Sequence, residues 1–264
     1  MITSTSSSQV KHVVNLQKKA KLRKEEKQFV VEGVKMVSEA EMCIRDRVYV
    51  SETFKADNEE FLERMNYDSI GKDVLEIVTD NVFMRMADTQ TPQGIMAVVR
   101  MTDTDLEGIL SDKHNPLLLI IENLQDPGNL GTIVRMAEGA GVTGIIMSSN
   151  TVDIYNPKTI RSTMGSLYRV PVIYVDDICE AADVCKSKGV TVYAAHLKGT
   201  DNYNKKDYTN PTAFMIGNEG NGLTDKLADK ADEYVRIPMQ GEVESLNAAI
   251  ACTILTYEAV RQRL

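Results

Sequence analysis

The sequence predicts two α/β domains: a smaller one at the amino terminus and a larger one, built on a parallel sheet, at the carboxyl terminus. The chain has 264 residues, roughly twice the ~150 residues of a typical domain. From residue 117 onward, apolar runs of strand length alternate with helical stretches, which is typical of α/β domains. With 43% hydrophobic and 26% charged residues, the composition is that of a globular protein and excludes wholesale disorder.

The larger domain is predicted over residues 117–264, and its strands read as continuous apolar runs. Such runs are typical of a parallel sheet covered by helices on both faces. The predicted strands are Leu117–Glu122, Gly144–Ser148, Val170–Val175, Val190–Ala195, Thr212–Ile216 and Tyr234–Pro238. The predicted helices are Gly131–Ala140, Pro157–Gly165, Asp177–Lys188, Thr224–Lys230 and a long terminal helix from about Ser245 to Arg263, which has an apolar stripe at helical spacing.

The smaller domain is predicted over residues 1–103, followed by a polar linker over residues 104–116. Its predicted helices are about Val10–Lys24 and Gly33–Glu41, and its predicted strands are Gln28–Val31, Val48–Ser51, Leu75–Thr79 and Gly94–Arg100. The segment Glu41–Arg47 interrupts this pattern with consecutive charges. It is interpreted as a surface turn or a sequence error and carries no functional argument.

The sequence argues against several other classes of protein. No apolar run approaches the length of a transmembrane helix, and the amino terminus is polar from Thr3 to Ser8, without an apolar signal core. The three histidines are dispersed, and the four cysteines (Cys43, Cys179, Cys185 and Cys252) form no CxxC pair. We therefore expect a cytoplasmic protein without a bound metal.

The formal net charge of −8 argues against a protein that coats nucleic acid by charge alone. The charge is unevenly distributed, because Lys11–Lys27 contains seven basic residues against two glutamates, a local charge of +5 that leaves −13 elsewhere. The basic residues are Lys11, Lys18, Lys19, Lys21, Arg23, Lys24 and Lys27. This stretch could be the solvated face of an amphipathic helix, or it could neutralise phosphates.

Three polar clusters follow predicted strands of the larger domain, where ligands bind in open parallel sheets. In the first, residues 122–135, Asn129 and Gly131 open a helix and Arg135 lies one turn after Gly131. Free N–H groups at a helix start can hold an anion, and an arginine can clamp a phosphate. The alternative is ordinary turn chemistry with a surface arginine.

The second cluster, Phe214–Leu223, has three glycines in six residues after an apolar strand, which lets the backbone approach another group closely. The order G-x-x-G-x-G differs from the dinucleotide fingerprint and so disfavours a nicotinamide dehydrogenase. Glu219 could bind a hydroxyl or a cationic ligand, or the loop could be only a tight turn.

The third cluster, Ile237–Ala251, places Ser245 and Asn247 where either could simply cap the last helix.

The order and spacing of the three clusters resemble the signature motifs of the SpoU (TrmH) family of RNA 2'-O-ribose methyltransferases, in the SPOUT superfamily. The matching residues are Asn129, Gly131 and Arg135 in the first motif, Gly217, Asn218, Glu219 and Gly220 in the second, and Ser245, Leu246, Asn247, Ala248 and Ala249 in the third. Phe29–Gly33 and Thr91–Gly94 resemble the family's small substrate-binding domain. The segment Glu41–Arg47 does not match.

The resemblance implies a carboxy-terminal SPOUT domain with a trefoil knot that holds S-adenosylmethionine, and a smaller amino-terminal RNA-binding α/β domain. It implies a homodimer with the active site near the interface. The terminal helix is the candidate interface, unless its apolar stripe only packs in the core. The implied reaction is methylation of a ribose 2'-hydroxyl, with rRNA favoured over tRNA because of the appended domain. A catalytically inactive RNA-binding homologue is the other alternative.

The resemblance also implies roles for individual residues. The catalytic residues would be Asn129, Arg135, Glu219 and Asn247. Arg135 could act as the base or organise the hydroxyl and its phosphate, and the second role is preferred because a guanidinium loses a proton reluctantly. The cofactor contacts would be His196, Gly217, Asn218, Gly220, Ile237, Met239, Ser245 and Leu246. His196 could instead be a surface histidine or one whose hydrogen bonds are satisfied within the protein, and the reaction requires no metal.

Overall fold

The computed structural model describes residues 1–40, 45–65, 75–111, 114–196, 198–199 and 201–264. Its contacts divide the chain into two units, the first holding Met1–Asp103 and Asp153–Tyr168 and the second Thr104–Val152 and Arg169–Leu264. Residues 153–168 therefore pack with the first unit although they interrupt the predicted larger domain. Residues 41–44 of the segment Glu41–Arg47, including Cys43, lie outside the described residues.

The first unit is built on a mixed sheet. In its described residues the strands are β1 (Gln28–Glu32), β2 (Arg45–Ser51), β3 (Leu75–Val78) and β4 (Ile95–Arg100), in the order β1-β4-β2-β3. Strand β4 runs antiparallel to β1 and β2, whereas β2 and β3 are parallel. The helices between residues 1 and 103 are α1 (Ser8–Lys18), α2 (Ala20–Glu26), α3 (Val34–Glu39), α4 (Glu52–Asp57), α5 (Glu59–Arg64) and α6 (Asp80–Met86).

The four predicted strands of the first unit are confirmed, and its helices differ from the prediction. The predicted helix Val10–Lys24 is split, because Lys19 is extended between α1 and α2. The short helices α4, α5 and α6 were not predicted, because six or seven residues hold too few apolar positions to show a helical period. Helix α4 begins after Ser51, whose hydroxyl accepts a hydrogen bond from the Phe54 amide.

Arg23 does not belong to an exposed basic stripe. It is only 3% exposed, and its Nη2 lies 2.6 Å from Oδ2 of Asp153. Its Nη1 donates to the carbonyl oxygens of Leu16 and Gln17, at 2.6 and 2.9 Å. These carbonyls end α1 where the helix breaks, so Arg23 is a structural residue that caps them. The six lysines of the stretch remain exposed.

The second unit is built on a parallel sheet, as predicted. Its described strands are β5 (Leu117–Ile121), β6 (Gly144–Ser148), β7 (Val172–Val175), β8 (Thr191–Ala195), β9 (Asp201–Asn202), β10 (Thr212–Ile216) and β11 (Glu233–Arg236). Their order is β7-β6-β5-β10-β8-β11-β9, and every neighbouring pair is parallel. The helices after residue 103 are α7 (Leu106–Leu110), α8 (Pro127–Gly139), α9 (Pro157–Thr163, in the first unit), α10 (Ile178–Ser187), α11 (Asp225–Ala228) and α12 (Ala248–Arg263).

Side chains of β5 alternate between the two faces of this sheet. Leu118 and Ile120 pack in a core cluster with residues of α7, α10 and α11, whereas α12 contacts β10 and α8. The predicted linker contains α7 because Leu106, Ile109 and Leu110 have helical spacing, and Ile109 is buried in the core. The knot implied by the resemblance stays a prediction. Among the helices of the described residues, none combines the length and apolar character needed to cross a bilayer.

Candidate active site

A cavity of about 310 Å³ lies at the carboxyl ends of β8, β10 and β11. These strands are neighbours in the order β10-β8-β11 and run parallel, so the segments that follow them emerge at one edge of the sheet. The cavity brings together all eight residues expected to contact a cofactor: His196, Gly217, Asn218, Gly220, Ile237, Met239, Ser245 and Leu246. Their role in cofactor binding stays a prediction.

The segment after β10, residues 217–223, is a tight loop that we call the glycine loop. A Cβ on Gly217 would lie 2.1 Å from the carbonyl carbon of Gly222, so only glycine fits there. Asn218 and Gly222 exchange two backbone hydrogen bonds, of 3.0 and 2.9 Å. The Asn218 Oδ1 accepts from the amides of Gly220 and Asn221, so hydrogen bonds within the loop fold it back on itself.

The carboxylate of Glu219 is held by the segment after β5. It accepts hydrogen bonds from the backbone amides of Gln125 and Asp126, at 3.1 and 2.9 Å, and from Nδ2 of Asn129, at 3.0 Å. Burial alone would raise the pKa of Glu219, but these hydrogen bonds outweigh it, so that the pKa lies below its ordinary value of 4.5. Glu219 is therefore ionised near neutral pH and is a weak proton acceptor.

Asn247 extends this contact into a chain of three side chains. Its Nδ2 donates to Oδ1 of Asn129 at 2.9 Å, and Asn129 in turn donates to Glu219. The Oδ1 of Asn247 accepts from the amides of Ala249 and Ile250 and so caps α12. Asn247 therefore caps the last helix, which was one of the two interpretations of its position, and it also hydrogen-bonds to Asn129. Ser245 is not the cap of α12, because the helix begins at Ala248.

The structure does not bring Arg135, the fourth predicted catalytic residue, into this chain. Arg135 lies on α8 and is exposed, as are Thr132 and Gly139 at helical spacing from it. Within the described part of the molecule, its guanidinium has no hydrogen bond or ion pair. Its five N–H donors are therefore available to a group from outside.

Sequence reasoning missed three residues at this edge of the sheet. Arg236 and Glu244 line the cavity, at the end of β11 and in the loop before Asn247. Glu122 is buried, and its carboxylate accepts two hydrogen bonds from Thr224, the residue that follows the glycine loop. For Glu122, the sequence did contain a signal: an acidic residue directly after a strand of five apolar residues. A charge buried at such a position needs a hydrogen-bonding or ionic partner.

His196 is half-buried and already has a hydrogen-bond partner within the protein. It follows β8 and lines the cavity, and its Nδ1 accepts a hydrogen bond from the Lys198 amide at 3.1 Å. Its ring packs edge-on against Tyr234, with centroids 5.4 Å apart. Among the described residues, no group of three or more histidines, cysteines and carboxylates is placed to hold a metal ion.

The fold is that of the SPOUT class of methyltransferases, to which similar solved structures belong. Residues 116–257 match the model of the SpoU rRNA Methylase family, and residues 7–97 match the MRM3-like substrate binding domain. The chain therefore belongs to the SpoU rRNA methylase family. This confirms the resemblance drawn from the three motifs and the predicted fold class.

Known proteins resemble the chain over much or all of its length. It is 35% identical over 187 residues to the 23S rRNA (guanosine(2553)-2'-O)-methyltransferase RlmP of Bacillus subtilis, which covers 69% of this chain and 70% of that protein. It is 32% identical to an uncharacterized tRNA/rRNA methyltransferase of Synechocystis over 99% of this chain and 94% of that protein. The crystal structure of the AdoMet-bound rRNA methyltransferase from Sinorhizobium meliloti superposes with a TM-score of 0.87 at 29% identity, covering 100% of this chain and 98% of that one.

The low pKa of Glu219 gives a pH-dependent contribution to stability. A carboxylate whose pKa is depressed on folding stabilises the protein fully above its unfolded value, here 4.5, and loses that effect as the pH falls through the folded value. The difference in unfolding free energy between wild type and Glu219→Gln should therefore be constant above pH 4.5 and shrink below it. Urea unfolding at a series of pH values measures this difference. Glu242→Gln controls for removing a charge from an exposed loop, and a pH-independent difference for Glu219→Gln would contradict the argument.

Proposed function

We propose that this chain transfers the methyl group of S-adenosylmethionine to a ribose 2'-hydroxyl of RNA, with 23S-type rRNA as its substrate and the cytoplasm as its location. The observation that carries the proposal is the chain Asn247–Asn129–Glu219 beside the cavity, in a member of the SpoU rRNA methylase family. The name of the Bacillus relative supports rRNA. The name of the Synechocystis relative includes tRNA, which is the second candidate substrate.

The cavity fits S-adenosylmethionine in size and in the character of its walls. Its volume of about 310 Å³ is within the range of small-molecule sites. Apolar side chains of Ile237, Met239 and Leu246 face it together with the backbone of the glycine loop, which suits a ligand with both a flat ring and polar groups. When bound, S-adenosylmethionine supplies a methyl group on a sulfonium, which is already an activated electrophile.

The residues beside the cavity are suited to positioning the ribose hydroxyl. Asn129 uses one of its two N–H groups on Glu219 and one lone pair on Asn247, so one donor and one acceptor site remain. Glu219 and Asn247 fix the orientation of this amide. The guanidinium of Arg135 can hold the adjacent phosphate through two parallel hydrogen bonds. Holding the hydroxyl in line with the methyl group makes the transfer effectively unimolecular, and the hydroxyl proton would pass to solvent.

A labelling assay tests both the reaction and the role of Arg135. Labelled S-adenosylmethionine is incubated with rRNA or tRNA that lacks the modification, and the position of label resistant to alkaline cleavage is mapped. We expect one labelled nucleotide, in rRNA. Arg135→Ala should lower turnover by about a hundredfold, the order of loss expected from misplacing a reactant, while calorimetry shows unchanged cofactor binding.

Arg135→Lys is the conservative control, because it keeps the charge but loses the planar pair of donors. It should fall between wild type and Arg135→Ala. Label on a base, or undiminished turnover by Arg135→Ala, would contradict the proposal. Label in tRNA alone would replace rRNA by the second candidate.

We also propose that residues 1–103 form the RNA-binding domain, followed by a connecting segment over 104–116, and that residues 117–264 form the catalytic domain. The match of residues 7–97 to a substrate-binding domain supports this division. Its candidate phosphate contacts are three exposed lysines in or directly after α1, namely Lys11, Lys18 and Lys19, because these have no ion pair among the described residues. Arg23 is excluded by its burial.

The role of these lysines can be tested through the salt dependence of RNA binding. The double variant Lys18→Ala/Lys19→Ala should bind RNA more weakly and lower the slope of log affinity against log salt by about one for each phosphate that is no longer neutralised. Lys188→Ala, an exposed lysine after α10, is the matched control and should leave the slope unchanged. Identical slopes for the double variant and wild type would remove these lysines from the RNA interface.

The homodimer is proposed to form through α12. Ile250 and Tyr257 are 53% and 45% exposed, and with half-buried Ile254 they form an apolar stripe on one side of the helix. We propose that a second copy of this chain packs against this stripe. The stripe lies on α12, the helix that Asn247 caps, and Tyr257 lies beside Gly139, which is on the same face of α8 as Arg135. A partner there would close the open side of the site.

Analytical ultracentrifugation tests the dimer. Wild type should sediment as a dimer, and Ile250→Asp/Tyr257→Asp should be monomeric and lose methyl transfer, because burying a charge in an apolar interface is unfavourable. Met84→Asp adds a charge at an equally exposed apolar position in α6 and should remain dimeric. A monomeric wild type at micromolar concentration would contradict the proposal.

A further inference from the structure

Glu122 is the best-buried acid at the edge of the sheet where the cavity lies, and none of the three motifs includes it. Its side chain is 6% exposed. Within the described ranges it forms no ion pair, so its charge is balanced by hydrogen bonds alone. Burying a carboxylate without a cation is unfavourable unless its oxygens are fully used. If the residue at position 122 only filled space in the core, an apolar side chain would stabilise the fold more than a carboxylate.

Both oxygens of the Glu122 carboxylate are used by a single residue. Oε2 accepts from the backbone amide of Thr224 and Oε1 accepts from its hydroxyl, both at 2.7 Å. The same hydroxyl accepts from the amide of Leu227 and caps α11. Thr224 follows Leu223, which lines the cavity. The carboxylate therefore fixes the point at which the chain leaves the glycine loop.

The backbone of Glu122 holds the other end of the same loop. Its amide donates to the carbonyl oxygen of Ile216 at 2.9 Å, and Ile216 directly precedes Gly217. Glu122 thus contacts the residue before the glycine loop and the residue after it. Between these two points, Nδ2 of Asn218 donates to the carbonyl oxygen of Asn123 at 2.8 Å, and the carboxylate of Glu219 accepts from the amides of Gln125 and Asp126.

We propose that Glu122 is a positioning residue for the cofactor site: by holding both ends of the glycine loop, it sets the span of backbone that faces S-adenosylmethionine. The inference rests on the proposed function. Glu122 does not touch the reacting atoms and acts through Thr224. Its loss should weaken cofactor binding more than it affects the RNA or the methyl-transfer step.

The test compares three variants in the full-length protein. Glu122→Gln replaces one acceptor oxygen with an NH₂ group that faces the donors of Thr224, and it should raise the KM and Kd for S-adenosylmethionine about tenfold. Thr224→Val removes the hydroxyl but keeps the amide and should give a smaller increase. Thr224→Ser keeps both donors and should restore the wild-type value. The KM for RNA should be unchanged in all three.

A matched control separates positioning from general loosening of the fold. Thr143 is 5% exposed, and its hydroxyl accepts from the amide of Leu117 at the amino ends of β5 and β6, the opposite edge of the sheet. Thr224 is exposed, so Thr143→Val, at a buried position, should lower the thermal unfolding midpoint at least as much as Thr224→Val does, but leave the KM for S-adenosylmethionine unchanged. An equal increase in KM for both valine variants would overturn the proposal.

The result also distinguishes this inference from the proposed function. If wild type neither binds S-adenosylmethionine by calorimetry nor labels RNA, the proposed function itself fails. If wild type does both and Glu122→Gln has the wild-type KM and Kd, only the role of Glu122 is overturned. Should Glu122→Gln not fold, the pair Thr224→Val and Thr224→Ser decides, because equal cofactor affinity in that pair would overturn the proposal.

Discussion

The parallel pairing of β5 with β10 is the constraint on which the site depends. Ile121 is paired with Ile216, so the next residues, Glu122 and Gly217, leave the sheet side by side. Every later contact between the two segments follows from this register, including the bonds from Thr224 to Glu122 and from Asn129 to Glu219. A shift of register by one residue would reverse the sides to which these side chains point.

Acidic residues hold this site together although no basic side chain pairs with Glu122 or Glu219 in the described ranges. Both carboxylates accept hydrogen bonds from amides and hydroxyls instead. Hydrogen bonds to a charged acceptor are stronger than neutral ones, and they fix backbone positions, which an ion pair between long side chains would not. The negative charge of the chain is therefore partly structural, and Lys11, Lys18 and Lys19 have no ion pair in the part of the chain that the structure describes.

The sequence predicted six of the seven described strands of the second unit, because β5, β6, β7, β8 and β10 are mostly apolar runs followed by glycine or polar residues. It missed β9, whose two residues, Asp201 and Asn202, are both polar. It also predicted which residues meet at the cavity, through their match to the family motifs. It did not predict that Arg23 is buried, since its partner Asp153 is 130 positions away. The hydrogen bond between Asn129 and Asn247 joins residues 118 positions apart. Local patterns of composition and spacing contain no information about such pairs, which depend on the packed fold.

The polar residues of the site differ in how firmly other protein groups hold them. Asn218 in the glycine loop, and Glu219 and Asn247 beside Asn129, have hydrogen bonds within the protein, so a bound ligand need not order them. Arg135, by contrast, is exposed, and in its proposed role it would lose rotamer freedom on engaging a phosphate. Under the proposed roles, cofactor affinity would come from groups that are already held in place, whereas ordering Arg135 would require an RNA that presents its phosphate and hydroxyl in the right geometry. The entropy lost in ordering the arginine would lower the affinity for every RNA, and only a correctly placed phosphate would offset it.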